Sequence, residues 1–154
     1  MSDIMMERTF IMLKPDAIQR GLMGEILGRM EVKGYKPVAM KFMRLPKELA
    51  ERHYGEHKGK PFFPNLIEYI TSGPSLVMVW EGDGIIAGMR TMMGKTNPAE
   101  AAVGTIRGDL AQQTGRNLIH GSDSPESAKR EIELFFNDYE LQTWNRSIAP
   151  WLIE

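Results

Sequence analysis

The sequence predicts an α+β protein built on a ferredoxin-like, four-stranded antiparallel sheet with helices packed on one face. Four short segments rich in β-branched, aromatic or long apolar residues indicate strands, and amphipathic segments between them indicate helices. The resulting order, β-α-β-αα-β-α-β, contains two βαβ halves, which are typical of this fold. An inserted helical hairpin and a long glycine-rich loop complete the prediction. The predicted strands are Thr9–Lys14, Val38–Arg44, Ser75–Glu81 and Arg116–His120.

Two of these strands are expected at the centre of the sheet. Phe10–Leu13 and Leu76–Trp80 are continuously apolar, as expected of strands that are covered on both faces. The second predicted strand follows Pro37. Because proline cannot donate a hydrogen bond to a neighbouring strand, this strand is expected near a sheet edge.

The helices are predicted from the spacing of apolar residues and from signals at their ends. Leu22, Ile26 and Met30 recur every four residues, and Gly34 is a natural C-terminal stop. Ser124 followed by Pro125 is typical of an N-cap and a first helical turn. The predicted helices after the first are Lys47–Tyr54 and Phe62–Thr71, which form the inserted hairpin, Gly84–Met93, and a helix from Pro125 through Phe136.

The segment from Gly94 to Gly115 shows no strong periodicity and is rich in glycine. A connection longer than ~15 residues inside a compact domain is usually functional or disordered. Because Val103, Ile106 and Leu110 are apolar, we expect an ordered loop with a functional or interface role.

Length and composition limit the class of protein. The chain has 154 residues, 42% of them hydrophobic, and a chain of this size buries roughly 70% of its unfolded surface, so one domain over residues 1–154 is expected. The lack of cysteine excludes disulfides, thiolate catalysis and zinc–thiolate sites. A net charge of −1 disfavours a nucleic-acid partner. With neither an apolar run of ~20 residues nor an apolar N-terminal signal region, we expect no membrane association and a cytoplasmic location.

Two phosphate-binding motifs are matched only formally. Gly82–Ala87 fits a dinucleotide fingerprint, but no doubly wound sheet is predicted around it, so its glycines are interpreted as a turn. Gly88 with Gly94-Lys95-Thr96 approximates a Walker-type loop, but Gly88 lies inside a predicted helix. We therefore expect neither motif to wrap a phosphate with its backbone.

The segment Asn117–Asp123 has the strongest chemical signal. It places His120 at the end of a strand, just before Gly121 and a capped helix. A neutral imidazole is a nucleophile near physiological pH without a second base, and Gly121 is expected to leave room for a large anionic group. Taken alone, a histidine at a strand end is more often a packed or partly solvated residue.

A carboxylate on the following helix is a candidate partner of this histidine. Glu131 falls at the margin of the apolar face of the helix that begins at Pro125. Such a group can orient one nitrogen of His120 and leave the other free to attack. The competing interpretation is a solvated glutamate in the charged run Lys129-Arg130-Glu131.

Three cations that are far apart in the sequence are candidates for binding a multiply charged anion. Arg90 shares an arc of its helix with apolar side chains, so a buried guanidinium there needs an anion or a partner unless its stem carries it outward. Arg107 lies in the glycine-rich loop and Lys14 ends the first strand. Taken alone, these two are a solvated loop charge and a strand terminus.

Several segments together resemble the nucleoside diphosphate kinase family, from about Arg8 to Trp151. The segment Asn117–Asp123 is similar to the active-site signature of that family. Further segments that match in order and spacing are Lys14-Pro15-Asp16, Phe62-Phe63, Val79–Gly82, Thr96–Ala99 and Gly104–Asp109. The resemblance implies an enzyme that moves the γ-phosphoryl group of a nucleoside triphosphate to a nucleoside diphosphate by a ping-pong mechanism, through a phosphohistidine on His120.

The resemblance also implies which residues form the site. The residues implied around the nucleophile are Glu131, Ser122 and Tyr54. The implied nucleotide contacts are Arg90, Thr96 and Arg107 on the phosphates, Lys14 on sugar and phosphate, Asn117 on the sugar, and Phe62 and Leu66 on the base. Stacking on Phe62 would accept every base, although core packing beside Phe63 is the alternative for this side chain.

The resemblance further implies a metal ion and an assembly. Mg²⁺ would arrive bound to the nucleotide, with Asp123 at most an indirect protein contact. The family implies a homo-oligomer, with a hexamer favoured over a tetramer. Ala17 and Ile153 stand where glycine and tyrosine are frequent in the family. The C-terminal tail forms subunit contacts in the family, so these differences bear on assembly more than on chemistry.

Two other functions remain as alternatives. A non-catalytic ferredoxin-like nucleotide sensor would bind nucleotide without turnover. A metal-dependent hydrolase would use His53 and His57, which are four residues apart. It is disfavoured because Gly55 intervenes and two ligands are too few for a catalytic metal site.

Overall fold

The computed structural model describes residues 4–154 and contains a four-stranded sheet with seven α-helices. The strands are β1 (Met6–Leu13), β2 (Lys36–Met43), β3 (Ser75–Asp83) and β4 (Ile119–Gly121). The helices are α1 (Pro15–Gln19), α2 (Met23–Lys33), α3 (Lys47–His53), α4 (Phe63–Ile70), α5 (Ile85–Met93), α6 (Ile106–Leu110) and α7 (Pro125–Phe135). The predicted α+β class with an antiparallel sheet is confirmed.

The sheet has the order β2-β3-β1-β4, and all of its pairings are antiparallel. The two continuously apolar strands, β1 and β3, are therefore the central ones, as predicted. The strand that follows Pro37 lies at an edge, also as predicted, and its register with β3 shifts between Pro37 and Ala39. Proline at this point costs no central hydrogen bond because the strand has a neighbour on one side only.

Helices cover both faces of the sheet, which corrects the prediction of a single covered face. Ile11 and Leu13 of β1 join a core with α2 and α5, whereas Phe10 and Met12 join a second core with α3, α4 and α7. Successive strand residues point to opposite faces, so the continuous apolar run in β1 serves two cores. The inserted hairpin α3–α4 and the last helix therefore lie opposite α2 and α5.

The strand that carries His120 is shorter than predicted and begins at Ile119 rather than Arg116. Leu118, which precedes it, has a φ of +74°, and a non-glycine residue in the left-handed region cannot continue a strand. Asp16 Oδ2 accepts a hydrogen bond from Leu118 N at 3.1 Å, and Leu118 O accepts one from Lys14 N at 2.9 Å. These two bonds hold the strained residue against the end of β1.

The glycine-rich segment 94–115 is ordered, as expected, and contains a 3-10 turn at Pro98–Glu100 and the short helix α6. Thr105 caps α6 by accepting a hydrogen bond from Gly108 N at 3.0 Å. Neither α6 nor α1 is predictable from the sequence pattern, because five residues are too few to show helical periodicity. Gly84 has a φ of +60° at the start of α5, which confirms a turn.

None of the helices in residues 4–154 reaches the length and apolar character that crossing a bilayer requires.

Candidate active site

His120 lies in the middle of β4 and points to the same side of the sheet as α3 and α7. It pairs with Met12 of β1 in the register of the sheet. Its ring centroid is 5.9 Å from that of Phe10 and 4.8 Å from that of His53. The ring is half-buried, so it is fixed by its neighbours and still has an accessible side.

One ring nitrogen of His120 is held by a buried carboxylate. Glu131 is 3% exposed and its Oε2 lies 2.9 Å from His120 Nε2. A carboxylate accepts, so Nε2 carries the proton, and in the neutral ring Nδ1 then carries the lone pair. The interpretation of Glu131 as a solvated residue is wrong, and the geometry matches that of a base-orienting group.

The second carboxylate oxygen of Glu131 is also occupied. Ser122 Oγ donates to Glu131 Oε1 at 2.7 Å, and Phe10 N donates to Ser122 Oγ at 3.2 Å. Ser124 Oγ caps α7 by accepting from Ser127 N at 3.1 Å, as predicted, which places Glu131 under β4. The carboxylate is thus held at both oxygens and cannot rotate away from the histidine.

Gly121 has a different reason to be glycine from the one predicted. A Cβ built on it would lie 2.7 Å from Met93 Sδ and 3.2 Å from a methyl of Ile11. These are core atoms, and Gly121 itself is buried. The missing side chain therefore allows close packing of β4 against α5 and does not open space for a ligand.

His53 was not predicted to lie in the site, but its ring packs against that of His120. It is 3% exposed at the end of α3, and neither of its ring nitrogens has a hydrogen-bond partner within residues 4–154. Burial, and after it the charges of His120 and Arg130, hold the pKa of His53 well below its usual value. The signal for its position was helical spacing, since it shares a buried face with Ala50 and Tyr54.

His53 and His57 do not form the pair that a hydrolase would need. Helix α3 ends at His53, so the four-residue spacing does not put both on one helical face. The His57 ring instead lies 5.3 Å from the ring of Phe62.

Tyr54 follows His53 and lies beside it, with ring centroids 4.5 Å apart. Its hydroxyl is buried and has no hydrogen-bond partner in the part of the chain that the structure describes. Burial and the nearby Glu131 raise the pKa of Tyr54, so the hydroxyl stays protonated and can donate a hydrogen bond.

Lys14, Asn117 and Thr96 are brought together from three distant segments. Lys14 Nζ donates to Asn117 Oδ1 at 2.8 Å, and Asn117 Nδ2 donates to Thr96 O at 2.9 Å. Burial, and after it the charge of Arg107, lowers the pKa of Lys14 to about 8. An anion bound here would stabilise the charged form of Lys14, because opposite charge favours the charged form.

Arg107 is buried, which corrects its interpretation as a solvated loop charge. It is 4% exposed and donates to three main-chain carbonyls: Gly94 O at 3.0 Å, Asn117 O at 3.3 Å and Ile119 O at 2.7 Å. Burial, and after it the charge of Arg90, lowers the pKa of Arg107 to about 10. The guanidinium therefore ties the glycine-rich segment to the strand that carries the histidine.

Arg90 is exposed, so its stem carries the guanidinium outward instead of burying it among apolar side chains. Its Nη1 reaches to 3.4 Å from Gly121 O, next to His120. Asp123 is exposed nearby, and a hydrogen bond from Ser127, assisted by the charge of Arg90, holds the pKa of this carboxyl below its usual range.

Phe62 and Leu66 lie at the start of α4, one turn apart. Phe62 is 48% exposed and Leu66 is half-buried. The alternative of core packing for Phe62 is therefore wrong; Phe63 is the ring that packs against the core. An exposed aromatic face is available for stacking.

The chain was compared with known proteins. Residues 7–141 match the family model of nucleoside diphosphate kinase. A nucleoside diphosphate kinase of Trichormus variabilis is 58% identical over 149 residues, covering 97% of this chain and 100% of that protein. Nucleoside diphosphate kinase II, chloroplastic, of Arabidopsis thaliana is 60% identical over 96% of this chain and 64% of its own length.

Solved structures give the same assignment. A nucleoside diphosphate kinase of Halobacterium salinarum in complex with CDP has a TM-score of 0.94 and 53% identity, over 96% of this chain and 99% of that one. A family member of Babesia bovis has a TM-score of 0.93 and 48% identity over the same shares. The chain belongs to the nucleoside diphosphate kinase family and is an enzyme with that activity.

Proposed function

We propose that Nδ1 of His120 is the nucleophile of a ping-pong phosphoryl transfer between nucleoside triphosphates and diphosphates. The hydrogen bond between Nε2 and the buried Glu131 carries this proposal, since it leaves the lone pair on Nδ1. A sensor that only binds nucleotide would not require a carboxylate that fixes the orientation of the His120 ring.

The reaction consists of two matching half-reactions. The Nδ1 lone pair forms a bond to the γ-phosphorus, and the bond from that phosphorus to the bridging oxygen of the leaving diphosphate breaks. The electron pair leaves with the diphosphate, while Nε2 keeps its proton. The ring gains positive charge in this step, which Glu131 stabilises at 2.9 Å. A second nucleoside diphosphate then reverses the bonds.

The surrounding donors suit the charge of the transferred group. Arg90 and Thr96 are exposed; Arg90 reaches Gly121 O next to His120, and Thr96, Lys14 and Arg107 all make hydrogen bonds with Asn117. Phosphoryl transfer depends mostly on positioning and on neutralising the equatorial oxygens. In this proposal Asn117 binds the sugar and Lys14 binds sugar and phosphate. The Tyr54 hydroxyl, which has no hydrogen-bond partner among the described residues, adds a donor near the ring.

Mg²⁺ is proposed to enter as part of the nucleotide substrate. Mg²⁺ prefers oxygen ligands and usually holds one or two carboxylates plus substrate phosphates. Within residues 4–154, the only His/Asp/Glu cluster with ligands close together contains two imidazoles, which does not suit this ion. Asp123, exposed and ionised, offers a single oxygen and fits an indirect contact at most.

Phosphoenzyme trapping tests the mechanism. Wild-type protein mixed with a γ-labelled triphosphate should retain the label in an alkali-stable, acid-labile form. Unlabelled diphosphates of different bases should each discharge it, because every half-reaction returns the same free histidine. Nucleotide binding without covalent label would support the sensor instead.

Arg90→Ala should lower kcat/KM more than ~10-fold, the scale of losing a group that stabilises transition-state charge. Because Arg90 is exposed, the melting temperature should stay within a few degrees of wild type. Steady-state kinetics and thermal unfolding measure both effects. Unchanged turnover would remove Arg90 from the phosphate-binding set.

The affinity of the free enzyme for a nucleoside diphosphate should fall as the pH rises past about 8, the lowered pKa of Lys14. Below that pH the amine is a cation, and above it the charge is lost; a charge-assisted hydrogen bond is worth about 1.5–3 kcal/mol, so a loss of about 10-fold is expected by pH 9.5. Equilibrium binding from pH 7 to 9.5 measures it. Lys14→Gln should bind weakly with no such decline; a declining profile in that variant would assign the effect elsewhere.

Phe62→Ala should raise the dissociation constant by about 10-fold for purine and pyrimidine nucleotides alike, because stacking on an aromatic ring is worth about 1–3 kcal/mol per base. The matched control is Phe63→Ala, which should lower the melting temperature because that ring packs against the core. Unchanged affinity in the Phe62 variant would contradict a base-stacking role.

We further propose a cytoplasmic homo-oligomer, with a hexamer favoured. Edge strand β2 exposes Met40 and Phe42, and the C-terminal segment exposes Trp151, at 88%, and Leu152. Exposed apolar surface of this kind marks interaction sites. Light scattering after size-exclusion chromatography distinguishes a hexamer from a tetramer or a monomer.

A further inference from the structure

The three groups at the back of the site form a cluster whose chemistry goes beyond phosphoryl transfer. One ligand atom from each of His53, His120 and Glu131 lies within 4.8 Å of the other two. His120 Nε2 is 2.9 Å and His53 Nδ1 is 3.8 Å from the same oxygen, Glu131 Oε2. Two imidazoles therefore converge on one carboxylate oxygen.

His53 is the member of this cluster that the proposed reaction leaves unused. It is 3% exposed, and neither ring nitrogen has a hydrogen-bond partner within residues 4–154. An unpaired buried polar group destabilises the folded state, so a ligand that pairs with it would recover that free energy. A neutral imidazole is the form that binds metals.

We propose that His53, His120 and Glu131 bind a zinc ion, and that the bound ion inhibits the enzyme. Two imidazoles and a carboxylate are a common ligand set of zinc, and a fourth position would remain for water. The magnesium that accompanies the nucleotide would not compete, because it favours oxygen ligands.

Modest movement would bring the ligands to the required distances. Zinc bonds of 2.0–2.1 Å in a tetrahedral arrangement separate neighbouring ligand atoms by about 3.3 Å. The pair at 2.9 Å must open slightly, the pair at 3.8 Å must close, and the two imidazole nitrogens, which lie within 4.8 Å of each other, must also approach. Rotation of the His53 ring breaks no hydrogen bond within residues 4–154, where neither of its nitrogens has a partner.

Inhibition follows from where the ion would bind. Zinc on His120 Nε2 replaces the proton there, which leaves to solvent, and breaks the direct hydrogen bond to Glu131. Nδ1 would remain facing the substrate, but a dication on the other nitrogen withdraws electron density from the ring. The lone pair becomes a weaker nucleophile, and the rate of phosphoryl transfer falls at saturating nucleotide.

The test measures metal binding without nucleotide, so its outcome does not depend on the phosphohistidine. Equilibrium dialysis of the full chain should give one zinc per chain, and X-ray absorption should show two imidazoles at about 2.0–2.1 Å. A site with a single imidazole, such as the half-buried His57 beside Glu56 at 3.7 Å, would overturn the proposal. Failure to retain zinc at millimolar concentration would overturn it too.

Matched variants locate the site. His53→Phe keeps a ring for contacts with Phe10 and Phe135 and removes both nitrogens. Zinc affinity should fall by more than about 100-fold, since even an outer-shell partner is worth 10–100-fold. His57→Phe should leave zinc affinity unchanged. Equal affinity in His53→Phe and wild type would refute the assignment, and the wild-type absorption spectrum decides the question if that variant does not fold.

Discussion

His120→Ala is expected to lower nucleoside diphosphate kinase turnover by at least about 10⁴-fold, because removing the nucleophile of a covalent mechanism leaves only binding and electrostatic effects. The same variant should retain no covalent phosphate after mixing with labelled triphosphate. Nucleotide affinity should change little, since the other predicted contacts remain. Stopped-assay turnover and phosphoenzyme counting measure the two outcomes.

The control for this prediction is His57→Ala, which removes a half-exposed histidine in the α3–α4 connection. It should keep the covalent label at wild-type stoichiometry. Label that persists in His120→Ala, or turnover above about 1% of wild type, would place the phosphoryl acceptor on another residue.

Arg107→Ala is expected to destabilise the protein by about 3–5 kcal/mol, because it leaves three buried carbonyl acceptors without their charged donor, at about 1–3 kcal/mol each. The guanidinium donates to the carbonyls of Gly94, Asn117 and Ile119, and an alanine would leave all three buried acceptors without it. At about 2–4 °C per kcal/mol for a chain of this size, the melting temperature should fall by about 6–20 °C.

Thermal unfolding of three variants tests the origin of that loss. Arg20→Ala removes an exposed arginine that donates to a single carbonyl, Leu110 O, at 2.6 Å, and should cost less than about 1 kcal/mol. Arg107→Lys should lie between the two, because an amine lacks the rigid fork of a guanidinium. A melting temperature within 2 °C of wild type in Arg107→Ala would show that the carbonyls are satisfied without it.

The elements of the fold were predictable wherever the hydrophobic pattern was long enough to have a period. The continuous apolar runs of β1 and β3 placed both strands in the centre, and the Ser124 cap located the start of α7. The number of covered faces was not predictable in this way. A strand that is apolar at every position is compatible with helices on both faces of the sheet, but it does not by itself exclude a sheet with helices on one face.

The site residues were also predictable where they lie in a segment with a regular hydrophobic period. Glu131 was found from its position on a regular helix, relative to Ser124 and the strand end. The burial of Arg107 was not predicted, and the sequence left open whether Arg90 is buried or reaches outward. Arg107 lies in a segment without periodicity, and its partners are 10 to 13 residues away. Arg90 lies near the end of its helix, where a long side chain can leave an apolar arc.

The contact between Asp16 and the strained Leu118 has a consequence for how the enzyme gains activity during folding. Asp16 Oδ2 and Leu118 N are 102 residues apart in the chain, and Lys14 and Asn117 beside them are 103 apart. A left-handed conformation at a non-glycine residue costs about 1–2 kcal/mol, so we expect Leu118 to adopt it stably only when the N-terminal strand has docked. Loop-closure entropy opposes contacts of such high sequence separation and slows their formation. Phosphotransferase activity should therefore recover together with the slowest tertiary signal on refolding. A nascent chain that does not yet include Asn117 and His120 lacks the nucleotide site.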